Sequence, residues 1–143
     1  MATRLGGSQK VGVMNAVSDF YDAGGPFVLR FYSGAQPANS DAAATGTLLA
    51  TITLPAPAFG ASSDGGPGQP VTAAKAGTWS ATVTATGTVG WARFVLGAGS
   101  VNGIDVSCGG PASGADIEFD DPDFVIDGTI VIDTFALSLP HST

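Results

Sequence analysis

Residues 78–86 read Thr78-Trp79-Ser80-Ala81-Thr82-Val83-Thr84-Ala85-Thr86, so that Trp79, Ala81, Val83 and Ala85 alternate strictly with hydroxyl side chains. A period of two sends successive side chains to opposite faces, which predicts a strand with one buried face and one threonine face. The same period recurs upstream. Phe27, Leu29 and Phe31 alternate with Val28, Arg30 and Tyr32, and within residues 47–54 Leu48, Ala50, Ile52 and Leu54 share one face while Thr47, Thr51 and Thr53 take the other. Residues 89–96 are more evenly apolar. There Trp91 and Phe94 fall on opposite faces and both need cover, which predicts a central strand.

Between these segments the chain is punctuated by turn-formers. Residues 33–46 are rich in Ala, Pro, Asn and Ser, Pro55 and Pro57 stop the second strand, and residues 60–70 are mostly Gly, Ser, Pro and Asp. One segment has helical spacing instead. Val13, Val17 and Phe20, with Met14 and Tyr21 beside them, form an apolar stripe between a capping Ser8 and the Gly24-Gly25 stop, which predicts a helix at about 9–23. Lys10 near its start and Asp19 and Asp22 near its end oppose the helix dipole, so the stripe must dock on something to hold the helix.

The C-terminal strand changes parity. Ile130 and Ile132 are even, whereas Phe135, Leu137 and Leu139 are odd, which predicts a β-bulge at Asp133-Thr134 if all five face the core. Short strands joined by Gly/Pro-rich turns, with one short N-terminal helix, predict a mainly β fold: a β-sandwich or jelly-roll-like barrel. It is expected as a single domain over residues 1–143, its β part at about 26–140, a length that can bury a core without disulfide or metal. The expected core is Val17, Phe20, Leu29, Phe31, Leu48, Ile52, Trp91, Phe94, Ile130, Ile132, Phe135 and Leu137.

Charge narrows the function classes. Twelve acidic and five basic residues give a net charge of -7, which leaves no Lys/Arg face to neutralise phosphates and disfavours nucleic acid. No Lys or Arg follows Arg93, so Asp105, Asp116, Glu118, Asp120, Asp121, Asp123, Asp127 and Asp133 predict an acidic end. The first ten residues lack a signal-like apolar run, and no run of apolar residues is long enough for a membrane span. The expectation is a protein made in a bacterial cytoplasm, with no membrane partner.

Candidate chemistry is sparse. A nucleophile system needs a rigidly held histidine, and the single His141 stands two residues before Thr143. Cys108, the only cysteine, lies among small residues in Ser107-Cys108-Gly109-Gly110, where a small buried or turn cysteine outweighs a reactive one. The sharpest signal is the acidic run Asp116, Glu118, Asp120, Asp121, Asp123 and Asp127, whose alternating carboxylates could converge on a hard cation. It lacks the Gly and Glu of an EF-hand loop, and its Asp-Pro and Asp-Gly pairs are turn vocabulary, so a solvated rim for partner contact or weak cation binding is the expectation. A carboxylate pair could also cleave glycosides, but two Trp and two Tyr offer little platform for sugars. The sequence predicts no catalytic residue and no cofactor.

Several stretches resemble a family of small structural proteins of tailed bacteriophages and prophages. They are Phe20-Tyr21-Asp22-Ala23-Gly24-Gly25, the run from Val28 to Ala38 with Arg30-Phe31-Tyr32-Ser33-Gly34, the run from Ala42 to Ala50, Pro57-Ala58-Phe59-Gly60, Gly90-Trp91-Ala92-Arg93-Phe94 and the run from Thr134 to Pro140. The resemblance covers most of the chain and departs at residues 97–110 and 116–127. It implies a non-enzymatic virion protein, either a capsid decoration (cement) protein on the major capsid protein, or a tail-associated or glycan-binding module contacting tail subunits. Homo-oligomerisation, with a trimer among the forms, is implied too.

Overall fold

The computed structural model describes residues 5–97 and 103–139. Helix α1 (Gly7–Ala23) leads into β1 (Phe27–Ser33), β2 (Leu48–Thr53), β3 (Ser63–Asp64), β4 (Val71–Ala74), β5 (Trp79–Thr82) and β6 (Gly87–Leu96). The chain continues through β7 (Ile104–Gly109), β8 (Ile117–Glu118), β9 (Asp123–Phe124), β10 (Thr129–Ile132) and β11 (Ala136–Leu139). The largest sheet runs β2-β1-β6-β7-β8, with β9 paired to the start of β6; β10-β5 and β11-β4-β3 form two smaller sheets. Among the described residues none of these closes on itself. The fold is therefore mainly β, an open sandwich with one N-terminal helix, and the barrel alternative is not the one adopted. Among the described residues no helix is long and apolar enough to cross a membrane.

The central strand is where residues 89–96 predict it. β6 lies between β1 and β7, and Trp91 and Phe94 on its opposite faces are both fully buried. Phe94 enters an aromatic cluster with Phe27, Phe59, Trp79 and Phe135, with ring centroids 5.4–6.3 Å apart. A second cluster joins Phe31, Phe119 and Phe124 at 5.0–5.9 Å. Such edge-on and tilted pairs add to the burial of large apolar area. On the other face Trp91 stacks on Tyr32 at 4.7 Å, and Arg93 is sealed in beside them.

Of the expected core, Leu29, Phe31, Ile52, Trp91, Phe94, Ile130 and Ile132 are buried, and Val17, Phe135 and Leu137 are partly buried against it. Two residues are not. Leu48 is 39% exposed because the β1–β2 register shifts: Phe31 pairs with Ala50 but Tyr32 pairs with Leu48, skipping Leu49. The skipped residue forms a bulge that inverts the parity, so Leu49 takes the core position. Phe20 is 63% exposed because α1 docks through a neighbouring stripe, Lys10, Met14, Ser18 and Tyr21. Tyr21 stacks on Phe27 at 4.3 Å and Ser18 Oγ donates to the Met14 carbonyl, so the buried Ser18 hydroxyl has a partner within the helix. Nor does Ser8 cap the helix: the N-cap is Gly6, with no side-chain cap, and Ser8 lies inside α1.

The parity change near Asp133 also has a different cause. No bulge forms there. The chain leaves the β10-β5 pair at Ile132 and enters the β11-β4-β3 sheet at Ala136, so one extended segment serves two sheets with Phe135 at the crossing. The strand expected at 78–86 likewise ends early. Past Thr82 the alternation of burial persists, but Thr84 and Ala85 donate their N–H groups to the Leu49 carbonyl, drawing the chain along the bulged edge of β2.

Candidate functional site

The acidic run folds into turns, and three of its six carboxylates, those of Asp116, Glu118 and Asp121, accept from nearby backbone N–H groups. Asp116 Oδ2 accepts from Ser107 N–H and Ser107 Oγ, both at 2.8 Å, which ties the start of β8 to β7. Glu118 spans the preceding turn, its two oxygens accepting from Ala112 and Gly114 N–H at 3.2 and 2.8 Å. That turn holds Ala112 at φ 58°, a left-handed conformation uncommon for a residue with a Cβ, beside Gly114, which adopts φ 76° freely. Asp121 Oδ1 accepts from Asp123 N–H at 3.0 Å across Pro122, and Asp123 Oδ1 accepts from Thr88 Oγ1 on β6. Asp127 adopts φ 68° at the turn before β10 and donates its N–H to Val83. The carboxylates are spread along three turns, and among the described residues no three His, Cys, Asp or Glu side chains come together around a metal position.

What the run does build is one wall of a groove. Ile117, Glu118, Phe119 and Asp120 face Val131, Ile132, Asp133 and Thr134 across it. Both walls are pleated with period two. Ile117, Phe119 and Ile132 turn inward to the common core, while Glu118, Asp120, Val131 and Asp133 turn outward. Among the described residues β8 pairs only with β7, and β10 only with β5, so the strand part of each wall has one side without a strand partner. The sequence reading found the acids but not the groove, because β8 is two residues long and its partner wall comes from the strand that switches sheets.

Cys108 is buried, and burial, followed by the nearby Asp116 charge, pushes its thiol up to about 12. It is a packed side chain held in its thiol form, whereas the thiolate is the reactive one. His141 lies outside the described residues. All four Trp and Tyr residues, Trp79, Trp91, Tyr21 and Tyr32, are buried, leaving none of them as a platform for a sugar ring.

One ion pair was not singled out from sequence. Arg93 on β6 faces Asp105 on β7, with Nε to Oδ1 at 2.5 Å and Nη2 to Oδ2 at 2.8 Å. Nη1 donates to the Ala42 carbonyl at 2.7 Å, which clamps the 34–46 loop over the sheet, and the guanidinium lies 5.2 Å from the Trp91 ring centre. The Asp105 hydrogen bond raises the Arg93 pKa above its ordinary value, outweighing burial. The signal in the sequence was an Arg placed between Trp91 and Phe94 in an apolar strand. Asp105, expected on the acidic surface, is spent here.

A further surface feature is α1. Its outward stripe is Val13, Ala16, Val17 and Phe20, continued by Ile104 of β7. Comparison with family models, curated proteins and solved structures finds no match for the chain.

Proposed function

We propose that the chain is a non-enzymatic structural protein of a tailed-phage particle, binding the outside of the capsid and holding neighbouring subunits together. The observation that carries this reading is the apolar stripe of α1, where Phe20 is 63% and Val13 43% exposed. A large exposed apolar patch on a folded domain marks a surface that another chain covers. The stretches that resemble phage structural proteins include the end of this helix, Phe20 to Gly25. Oligomerisation about a local symmetry axis would repeat the contact around each site, and weak identical contacts then add through avidity. The buried state of every Trp and Tyr weighs against the glycan-binding alternative, and the turn duties of the acidic run weigh against catalysis. Immunogold labelling of intact virions tests the assignment: gold is expected over the heads. Gold confined to the tail would replace it with the tail-associated reading, and unlabelled particles would remove the virion role altogether.

A further inference from the structure

We propose that the groove between β8 and β10 receives one extended segment of a partner protein, carrying Lys or Arg at alternate positions, which adds as a strand between the two open edges. This inference stands on the groove alone and not on the head assignment. β8 and β10 border one groove and each has a side without a strand partner among the described residues; such open edges are the template for strand addition, because their backbone N–H and C=O groups are available for pairing. Here the edges belong to different sheets. Their inward residues, Ile117, Phe119 and Ile132, lie over one core, so a strand laid between them would bridge the sheets without exposing either.

The pleat of the walls dictates the occupant. Inward side chains of an inserted strand would meet Ile117, Phe119 and Ile132, which favours Val, Thr or Ala. Outward side chains would meet Glu118 and Asp120 on one lip and Val131 and Asp133 on the other, which favours Lys or Arg. This chain cannot supply such a segment to a second copy of itself. Its five basic residues, Arg4, Lys10, Arg30, Lys75 and Arg93, are never closer than six positions apart, and Arg30 and Arg93 already sit within the central sheet. The occupant is therefore a different protein, and a basic strand also relieves the repulsion among groove carboxylates that have no cation of their own chain after Arg93.

NMR titration of the full chain with a synthetic hexapeptide alternating Lys and Val tests this, with two control peptides: Glu in place of Lys, and the Lys–Val peptide N-methylated at alternate amides. The Lys–Val peptide is expected to shift the amides of residues 117–120 and 131–134, saturably, with affinity weakened about tenfold in Asp120→Asn/Asp133→Asn and falling with added salt. Both side chains are exposed, so this variant should keep the parent spectrum elsewhere. The Glu peptide and the N-methylated peptide are expected not to bind. Equal binding by the N-methylated peptide would reduce the groove to a charged surface without strand pairing, and shifts confined to other residues, or none, would remove the site. None of these results bears on virion labelling, so the two readings fail separately.

Discussion

Arg93 and Asp105 show how unequal the two halves of a buried ion pair are. Removing Asp105 alone leaves a guanidinium sealed beneath the 34–46 loop, whereas removing both partners leaves no buried charge and only the Ala42 and Asn39 carbonyls without their donor. Asp105→Asn is expected to cost about 3–5 kcal/mol in urea denaturation, and Arg93→Met/Asp105→Leu much less. Cys108 carries a pH dependence of opposite chemistry. Its folded pKa, about 12, lies above the ordinary thiol value of about 8.5, so the folded state holds the proton more tightly than the unfolded one. Stability is then complete below about pH 8.5 and falls as pH climbs towards 12, by up to about 1.4 kcal/mol per unit. Tyr21, also raised by burial, adds to the loss at the alkaline end. Denaturation at pH 8 and pH 10.5 should show the fall, and Cys108→Ala should remove the cysteine share of it.

At the scale of elements, the Leu48-Leu49 pair separates pattern from register. Leu49→Ala should cost about 2–5 kcal/mol, while Leu48→Ala, on the exposed side of the bulge, should stay within about 1 kcal/mol. The strand at residues 47–54 was legible from its alternation, but a bulge belongs to the pairing of two strands, and one strand's sequence does not contain its partner. The helix misleads for a related reason. Two stripes run along α1, and the more apolar one, Val13-Val17-Phe20, reads as the docking face; Met14 and Tyr21, seven residues apart, dock instead because Tyr21 finds the Phe27 ring. Phe20→Ser should accordingly leave the melting temperature nearly unchanged and lower self-association or partner binding in sedimentation, whereas Phe31→Ala should cost about 3–5 kcal/mol. The acidic run was legible as turn chemistry from its Asp-Pro and Asp-Gly pairs. Its role as a groove wall was not, since the opposite wall lies on β10 and depends on the sheet switch at residues 133–135.

Across the whole molecule, the period-two signal and the single helical segment sufficed for the mainly β class, while the division into three sheets depends on long-range pairings that no local pattern encodes. The strand switch makes the last described segment an integral part of that division. β11 pairs residue for residue with β4, Ala136 to Ala74 through Leu139 to Val71, and β4 is also where α1 packs. A strand of four residues is thus held between the beginning and the end of the described chain. For a nascent chain leaving the ribosome this sets a schedule: α1 and β4 emerge early, but the sheet that seats them waits until Leu139 has cleared the exit tunnel. Until then β4 carries an open edge where β11 will lie. A chain stalled before β11 should expose Phe135-contacting rings such as Trp79 and Phe59, and so bind chaperones that recognise exposed aromatic surface until β11 is made.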